Sequence, residues 1–192
     1  MSEIFPVILA ACLINNLVLE NLLGVSAVRA VSRTLDAAHG MSKFMLLVLP
    51  VTTTACYFVH FYVLVPAQLE FLRIPVFVLF ILLSMYLLKI ALQKLRPSVL
   101  DVLGAYFPLM LVNASALGIA LLAIDASAGL LLSLLSSIGT ALGFGFVLLI
   151  FSAVRARLAQ ADTPGAFDGI AVELITLGIL AMAFMGFAGL QV

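Results

Sequence analysis

Charged side chains are scarce in this sequence of 192 residues. Asp, Glu, Lys and Arg together make up 9% of the chain, whereas 65% of the residues are hydrophobic. The mean hydropathy is +1.32. A water-soluble domain of this size cannot bury so much apolar surface. Long apolar runs separated by short charged patches are instead typical of an all-α polytopic membrane protein in contact with lipid.

Several chemical signatures are also missing. The chain has no Trp, two Cys and two His, and it lacks a Gly-rich phosphate loop, an HExxH motif and a CxxC motif. We therefore expect no catalytic residue and no metal site in this chain alone. The net charge is zero, which gives no indication of nucleic-acid binding. Cys12 and Cys56 lie in plain apolar contexts, where packing is the expected role.

The hydrophobic pattern predicts six membrane spans, each near the ~20 residues that cross a bilayer. Eight of the nine Lys and Arg residues lie in or beside the first, third and fifth connections, and Arg73 is the exception. The positive-inside rule places those connections in the cytoplasm and both termini on the outer side of a bacterial inner membrane. The predicted spans are roughly 4–25, 44–65, 74–93, 100–123, 130–154 and 170–190.

Six spans divide into two sets of three that enter the membrane from opposite sides. We expect one transmembrane domain over 1–192, built from inverted repeats at about 1–97 and 98–192. Spans one and four both carry Asn residues followed by a Leu-Gly step, at Gly24 and Gly118. Either these spans are broken half-helices whose freed backbone groups bond to Asn side chains, or Asn and Gly only allow close helix packing.

A family resemblance follows from these same residues. The stretches LINNLVL from Leu13, FPL from Phe107, ALGIALL from Ala116 and AFMGFAGL from Ala183 are similar to the A subunit of the Rnf electron-transport complex. The E subunit of the sodium-translocating NADH:quinone oxidoreductase is related. The similarity extends over essentially the whole chain.

The resemblance implies a subunit of a translocase, without catalytic activity of its own. In this family, a homologous six-span sister subunit pairs with the chain, and the two share a two-iron two-sulfur cluster at mid-membrane. Flavin-carrying and iron–sulfur subunits complete the complex, and electron transfer drives sodium or proton transport. Ser26 and Ala114 occupy the positions of the two cluster cysteines that the family's chain contributes. We therefore expect that this chain binds no cofactor by itself and supplies scaffold and ion path.

Charged and amide side chains inside the predicted spans are the candidates for that path. A charge at the bilayer centre costs about 2.5–3.5 kcal/mol on insertion scales, so such residues are usually paired or functional. One hypothesis is that Lys89 pairs with Glu20 or Glu173 inside the bundle. The alternative is that these side chains extend to the membrane interfaces. The candidates are Glu20, Asn15, Asn16, Asn113, Lys89 and Glu173.

Two other functions fit the same pattern. One is a stand-alone inverted-repeat carrier for a small solute or ion, lined at the midplane by Asn15, Asn16, Asn113, Ser115 and Glu20. The other is a purely structural role in a complex. Co-purification separates these classes, because a member of such a complex is recovered with large flavoproteins whereas a carrier is not.

Overall fold

A computed structural model describes residues 4–95, 108–109, 114–126, 129–161 and 169–187. The secondary structure in these ranges is helical throughout. The helices are α1 (Ile4–Leu9), α2 (Leu17–Glu20), α3 (Val25–Val31), α4 (Leu35–Val59), α5 (Val65–Ala67), α6 (Arg73–Leu95), α7 (Ala114–Asp125), α8 (Leu130–Leu158) and α9 (Ile170–Met185). The π-helical turns Ala10–Ile14 and His60–Leu64 extend α1 and α4, and a 3₁₀ turn covers Glu70–Leu72.

Three continuous helices in the described ranges are long and apolar enough to cross a membrane. They cover Leu35–Ala67, Glu70–Leu95 and Leu130–Leu158, with 33, 26 and 29 residues. The segment Ile4–Glu20 and helix α3 pass the same test together, but they meet at an 89° bend. The fourth and sixth predicted spans are represented by the shorter helices α7 and α9. Six spans and an inverted repeat therefore stay predictions.

Asparagine side chains set the break in the first segment. Asn16 caps α2: its Oδ1 accepts hydrogen bonds from the N–H groups of Val18 and Leu19, at 3.1 and 3.4 Å. Its Nδ2 donates to the Cys12 carbonyl at 2.8 Å, and so takes up an acceptor of the preceding π-helical turn. Gly24 caps α3 with φ +86°, a left-handed conformation that favours glycine. The first predicted span is therefore interrupted between α1 and α3 in this structure, and the two parts meet at an 89° bend.

Helix α8 lies at the centre of the described bundle, and its glycines let other segments approach closely. A Cβ at Gly139 would lie 2.8 Å from the Ile8 carbonyl oxygen. A Cβ at Gly143 would lie 2.5 Å from the carbonyl oxygen of Cys12. The glycines of this helix thus mark close packing. Large aromatic side chains fill the surrounding core, among them Phe44, Phe77, Phe144 and Phe151.

Two groups of ion pairs mark opposite ends of the bundle. Arg73 at the start of α6 pairs with Asp125 at the end of α7, with Nη1–Oδ1 at 2.5 Å. At the other end, Glu173 in the first turn of α9 pairs with Arg29 and Arg155. Of the Lys and Arg residues in the described part, Arg73 is the one that lies at the first end. This distribution agrees with the alternation of basic and non-basic connections in the sequence.

Candidate functional site at the half-helix junction

The start of α3 and the start of α7 lie next to each other in the described bundle. Ser115 in the first turn of α7 donates a hydrogen bond to the carbonyl of Leu23, just before α3, at 3.1 Å. Gly118 lies against the same residue, since a Cβ there would be 2.4 Å from Leu23 Cδ1. Ser26 lies in the first turn of α3 and Ala114 begins α7, and both are exposed on the chain. The two positions that the family resemblance singles out therefore lie at two tips that touch.

The residues at these tips do not fit a two-iron two-sulfur cluster. Such clusters are held by thiolates, whereas Ala114 carries a methyl group and Ser26 a hydroxyl. Cys12 lies in the π-helical turn after α1, and Cys56 is fully buried within α4. Within the described ranges, no three His, Cys, Asp or Glu side chains come together in a way that could hold a metal ion.

Two cavities lie beside the break in the first segment. One has a volume of about 510 Å³ and is lined in part by Asn15, Glu20, Asn21, Ser136 and Thr140. The other has a volume of about 420 Å³ and lies towards α9, beside Ala181 and Phe184. Asn15 and Glu20 line both cavities.

The Glu20 carboxylate is the charged group of these two cavities. It forms no ion pair with any residue in the described ranges. Asn15, Ser136 and Thr140 line the same space, and side chains with amide and hydroxyl oxygens suit a hard cation or an exchangeable proton. Of the six sequence candidates, Asn15 and Glu20 therefore line both cavities, and Asn16 lines the second.

The remaining candidates have other partners or positions. Asn16 is buried, caps α2 and lines only the second cavity. Lys89 is exposed on α6 and forms no ion pair within the described part of the chain, so its pairing with Glu20 or Glu173 is wrong. The physical reason in the case of Glu173 is competition, because two arginines already pair with its carboxylate oxygens. Asn113 lies outside the described residues.

Glu173 belongs to an ion triad that the sequence pattern did not reveal. Its Oε2 accepts from Arg29 Nε at 2.9 Å, and its Oε1 pairs with Arg155 Nη2. Arg155 Nη1 also donates to the Arg29 carbonyl at 2.8 Å and to Ser32 Oγ at 2.9 Å. The triad therefore joins α3 to α8 and α9. In the sequence, both arginines look like orienting charges only.

Comparison with known proteins agrees with this architecture. Residues 4–191 match the sequence profile of the Rnf-Nqr family, which is described as "Rnf-Nqr subunit, membrane protein". The chain belongs to the Rnf-Nqr family. The resemblance drawn from the sequence is thereby confirmed.

Curated relatives within the Rnf-Nqr family are named as the A subunit of an ion-translocating oxidoreductase complex. The protein of Actinobacillus pleuropneumoniae serotype 5b is 41% identical over 190 residues, which cover 99% of this chain and 98% of the relative. The protein of Cereibacter sphaeroides strain ATCC 17029 is 42% identical, with the same coverage. The protein of Rhodobacter capsulatus is 39% identical, also over 99% and 98% of the two chains.

Proposed function

We propose that this chain is a membrane subunit of an Rnf-type ion-translocating oxidoreductase complex. The observation that carries the proposal is the match over nearly the whole chain to relatives named as the A subunit of such complexes. The complex lies in the bacterial inner membrane, and this multi-pass protein has both termini on the outer side. Its partners are the flavin-carrying and iron–sulfur subunits and a homologous six-span sister subunit.

Within that complex, this chain serves as scaffold and ion path and does not contribute cluster ligands. The contact between Leu23 and Ser115 keeps two half-helix tips together, as a shared mid-membrane site requires. Ser26 and Ala114, however, provide no thiolate at those tips. Electron transfer across the membrane therefore depends on groups that other subunits hold, while this chain positions the sister subunit.

The cavities at the break of the first segment are the ion path in this proposal. A carboxylate inside a membrane protein is costly unless it is paired or functional, and Glu20 has no cationic partner in the described ranges. Because its side chain lines both cavities, it can exchange a sodium ion or a proton between them. Asn15 lies beside it and supplies a neutral oxygen ligand.

Replacement of Glu20 by Gln tests this path. The change removes the charge and keeps the size, so we expect electron transfer to continue while most of the ion movement per electron is lost. The measurement is redox-driven sodium or proton movement in membrane vesicles that contain the complex. Glu70→Gln is the control, because Glu70 is an exposed carboxylate in the turn before α6 and does not line these cavities. Unchanged ion movement in Glu20→Gln would remove Glu20 from the path.

The same cavities also favour a second function, a stand-alone carrier for a small solute or ion. Purification from native membranes through a tag on this chain separates the two proposals. Co-purification of flavoproteins and a homologous sister chain, in constant ratio, supports the complex. Recovery of this chain alone or as a homodimer contradicts the complex and supports the carrier.

A further inference from the structure

Two apolar furrows run along one face of α8, on either side of a ridge formed by Leu142 and Phe146. The first furrow has a volume of about 450 Å³ and lies between this ridge and the first segment, against Ile8, Cys12 and Leu13. The second has a volume of about 390 Å³ and lies between the same ridge and α4. Leu142 and Phe146 are four residues apart and therefore lie on one face of the helix. They are 41% and 46% exposed.

A basic side chain lies at the second furrow. Lys43 lines it together with Leu46, is exposed, and forms no ion pair within the described ranges. No acidic side chain lines either furrow. His39 lies one turn before Lys43 on the same face of α4, and Asp36 lies a further turn towards the helix start, without an ion pair to Lys43 in the described part. The charge that faces the furrow is therefore positive.

We propose that these furrows bind one anionic phospholipid. Its two acyl chains lie on either side of the Leu142–Phe146 ridge, and its phosphate contacts the Lys43 ammonium. The aliphatic stem of a lysine covers apolar surface while its charged end reaches the headgroup level. A transmembrane helix of a partner protein could also pack against such a ridge, but the lysine at the second furrow favours an anionic headgroup.

The position of the site gives it a consequence beyond the proposed function. The first furrow borders the π-helical turn Ala10–Ile14, which leads directly to Asn15 and Asn16. Cys12 lines that furrow, and its carbonyl accepts the hydrogen bond from Asn16 that fixes the break. An acyl chain in the furrow therefore supports the backbone that positions the broken helix.

Lipid retention by the purified full-length chain in its native assembly tests the proposal. The protein is equilibrated with equal amounts of phosphatidylglycerol and phosphatidylcholine, washed in detergent, and analysed by native mass spectrometry. We expect phosphatidylglycerol to be retained in preference to phosphatidylcholine. Lys43→Gln should reduce that preference about fivefold, the factor that corresponds to ~1 kcal/mol per basic residue near the headgroups. Lys43→Arg should keep it.

Two further variants complete the experiment. Lys94→Gln is the matched control, because Lys94 is an exposed lysine at the same end of the bundle, on α6, and lines neither furrow. It should leave the preference unchanged. Leu142→Trp fills both furrows from an exposed position and should reduce retention of both lipids. Equal effects of Lys43→Gln and Lys94→Gln would overturn the proposal, as would a wild-type protein without lipid preference. Cross-linking of a Leu46→Cys variant to a partner protein would also overturn the proposal.

Discussion

The ion triad of Arg29, Glu173 and Arg155 shows at the residue scale how strongly neighbours decide the role of a charged side chain. Glu173 is 8% exposed and lies between two guanidinium groups, so its charge is compensated. Glu20 is exposed to two cavities and has no such partner in the described ranges. Two carboxylates of equal intrinsic chemistry therefore have different surroundings: one joins helices, and the other lines two cavities where we propose an ion path.

Removal of the Glu173 charge should destabilise the protein. In Glu173→Gln, two arginines remain close together without a counter-charge. We expect a loss of about 2 kcal/mol, less than the ~3–5 kcal/mol that breaking a fully buried pair costs, since the Arg29 and Arg155 side chains are 32% and 22% exposed. The measurement is the midpoint of thermal unfolding in detergent.

The control for this change lies at the opposite end of the bundle. Asp125→Asn breaks the pair with Arg73. The Arg73 side chain is 29% exposed and the Asp125 side chain is 55% exposed. Pairs this exposed contribute less than about 1 kcal/mol. Equal unfolding midpoints for the two variants would contradict the role assigned to the triad.

The position of a site residue could be predicted from the sequence only where a recognisable motif surrounds it. The family resemblance singled out Ser26 and Ala114, and the structure places them in the first turns of α3 and α7. The partners of Glu173 could not be predicted, because Arg29 and Arg155 are 144 and 18 residues away in the chain. Lys89 was a plausible partner of Glu173 by charge alone, but in the structure its side chain is exposed on α6.

The break in the first segment is the main feature at the element scale. Asparagine in the middle of an apolar run predicted it, and the side chain of Asn16 explains it, since it bonds to groups on both sides of the interruption. The second break, at Asn113, lies outside the described residues and stays a prediction. The extension of the second span back to Leu35 was missed, because its first turns are polar and resemble a loop.

Close packing of α8 on this break gives a prediction for Gly143. In Gly143→Ala, the new Cβ would lie 2.5 Å from the Cys12 carbonyl oxygen and 2.9 Å from Asn16 Nδ2. The helices must separate, and we expect a loss of about 1–3 kcal/mol, typical of overpacking. Thermal unfolding in detergent measures it.

Gly178→Ala in α9 is the matched control for that substitution. A Cβ at Gly178 meets no described atom within 4 Å, and alanine is the better helix former by roughly 0.5–1 kcal/mol. Its unfolding midpoint should be equal to or higher than that of the wild type. If Gly143→Ala behaves in the same way, α8 does not hold the half-helix in place.

At the scale of the whole molecule, helix content and the alternation of basic ends were predictable from hydropathy and charge. Both depend on composition over long windows, which a single sequence displays directly. The number of spans was harder to predict. A short or interrupted helix does not reach the length that identifies a membrane span, and only tertiary contacts show which segments pack together. Complex membership follows from family similarity and cannot be derived from the packing of one chain.

The central claim is that the starts of α3 and α7 meet in this chain without the thiolates that a two-iron two-sulfur cluster requires. The most direct test is low-temperature EPR, together with iron analysis, of the complex purified from native membranes through a tag on this chain. We expect flavoprotein partners, no two-iron two-sulfur signal, and the same iron content in the Ser26→Ala complex. A two-iron signal in the wild-type complex that is lost in Ser26→Ala would contradict it.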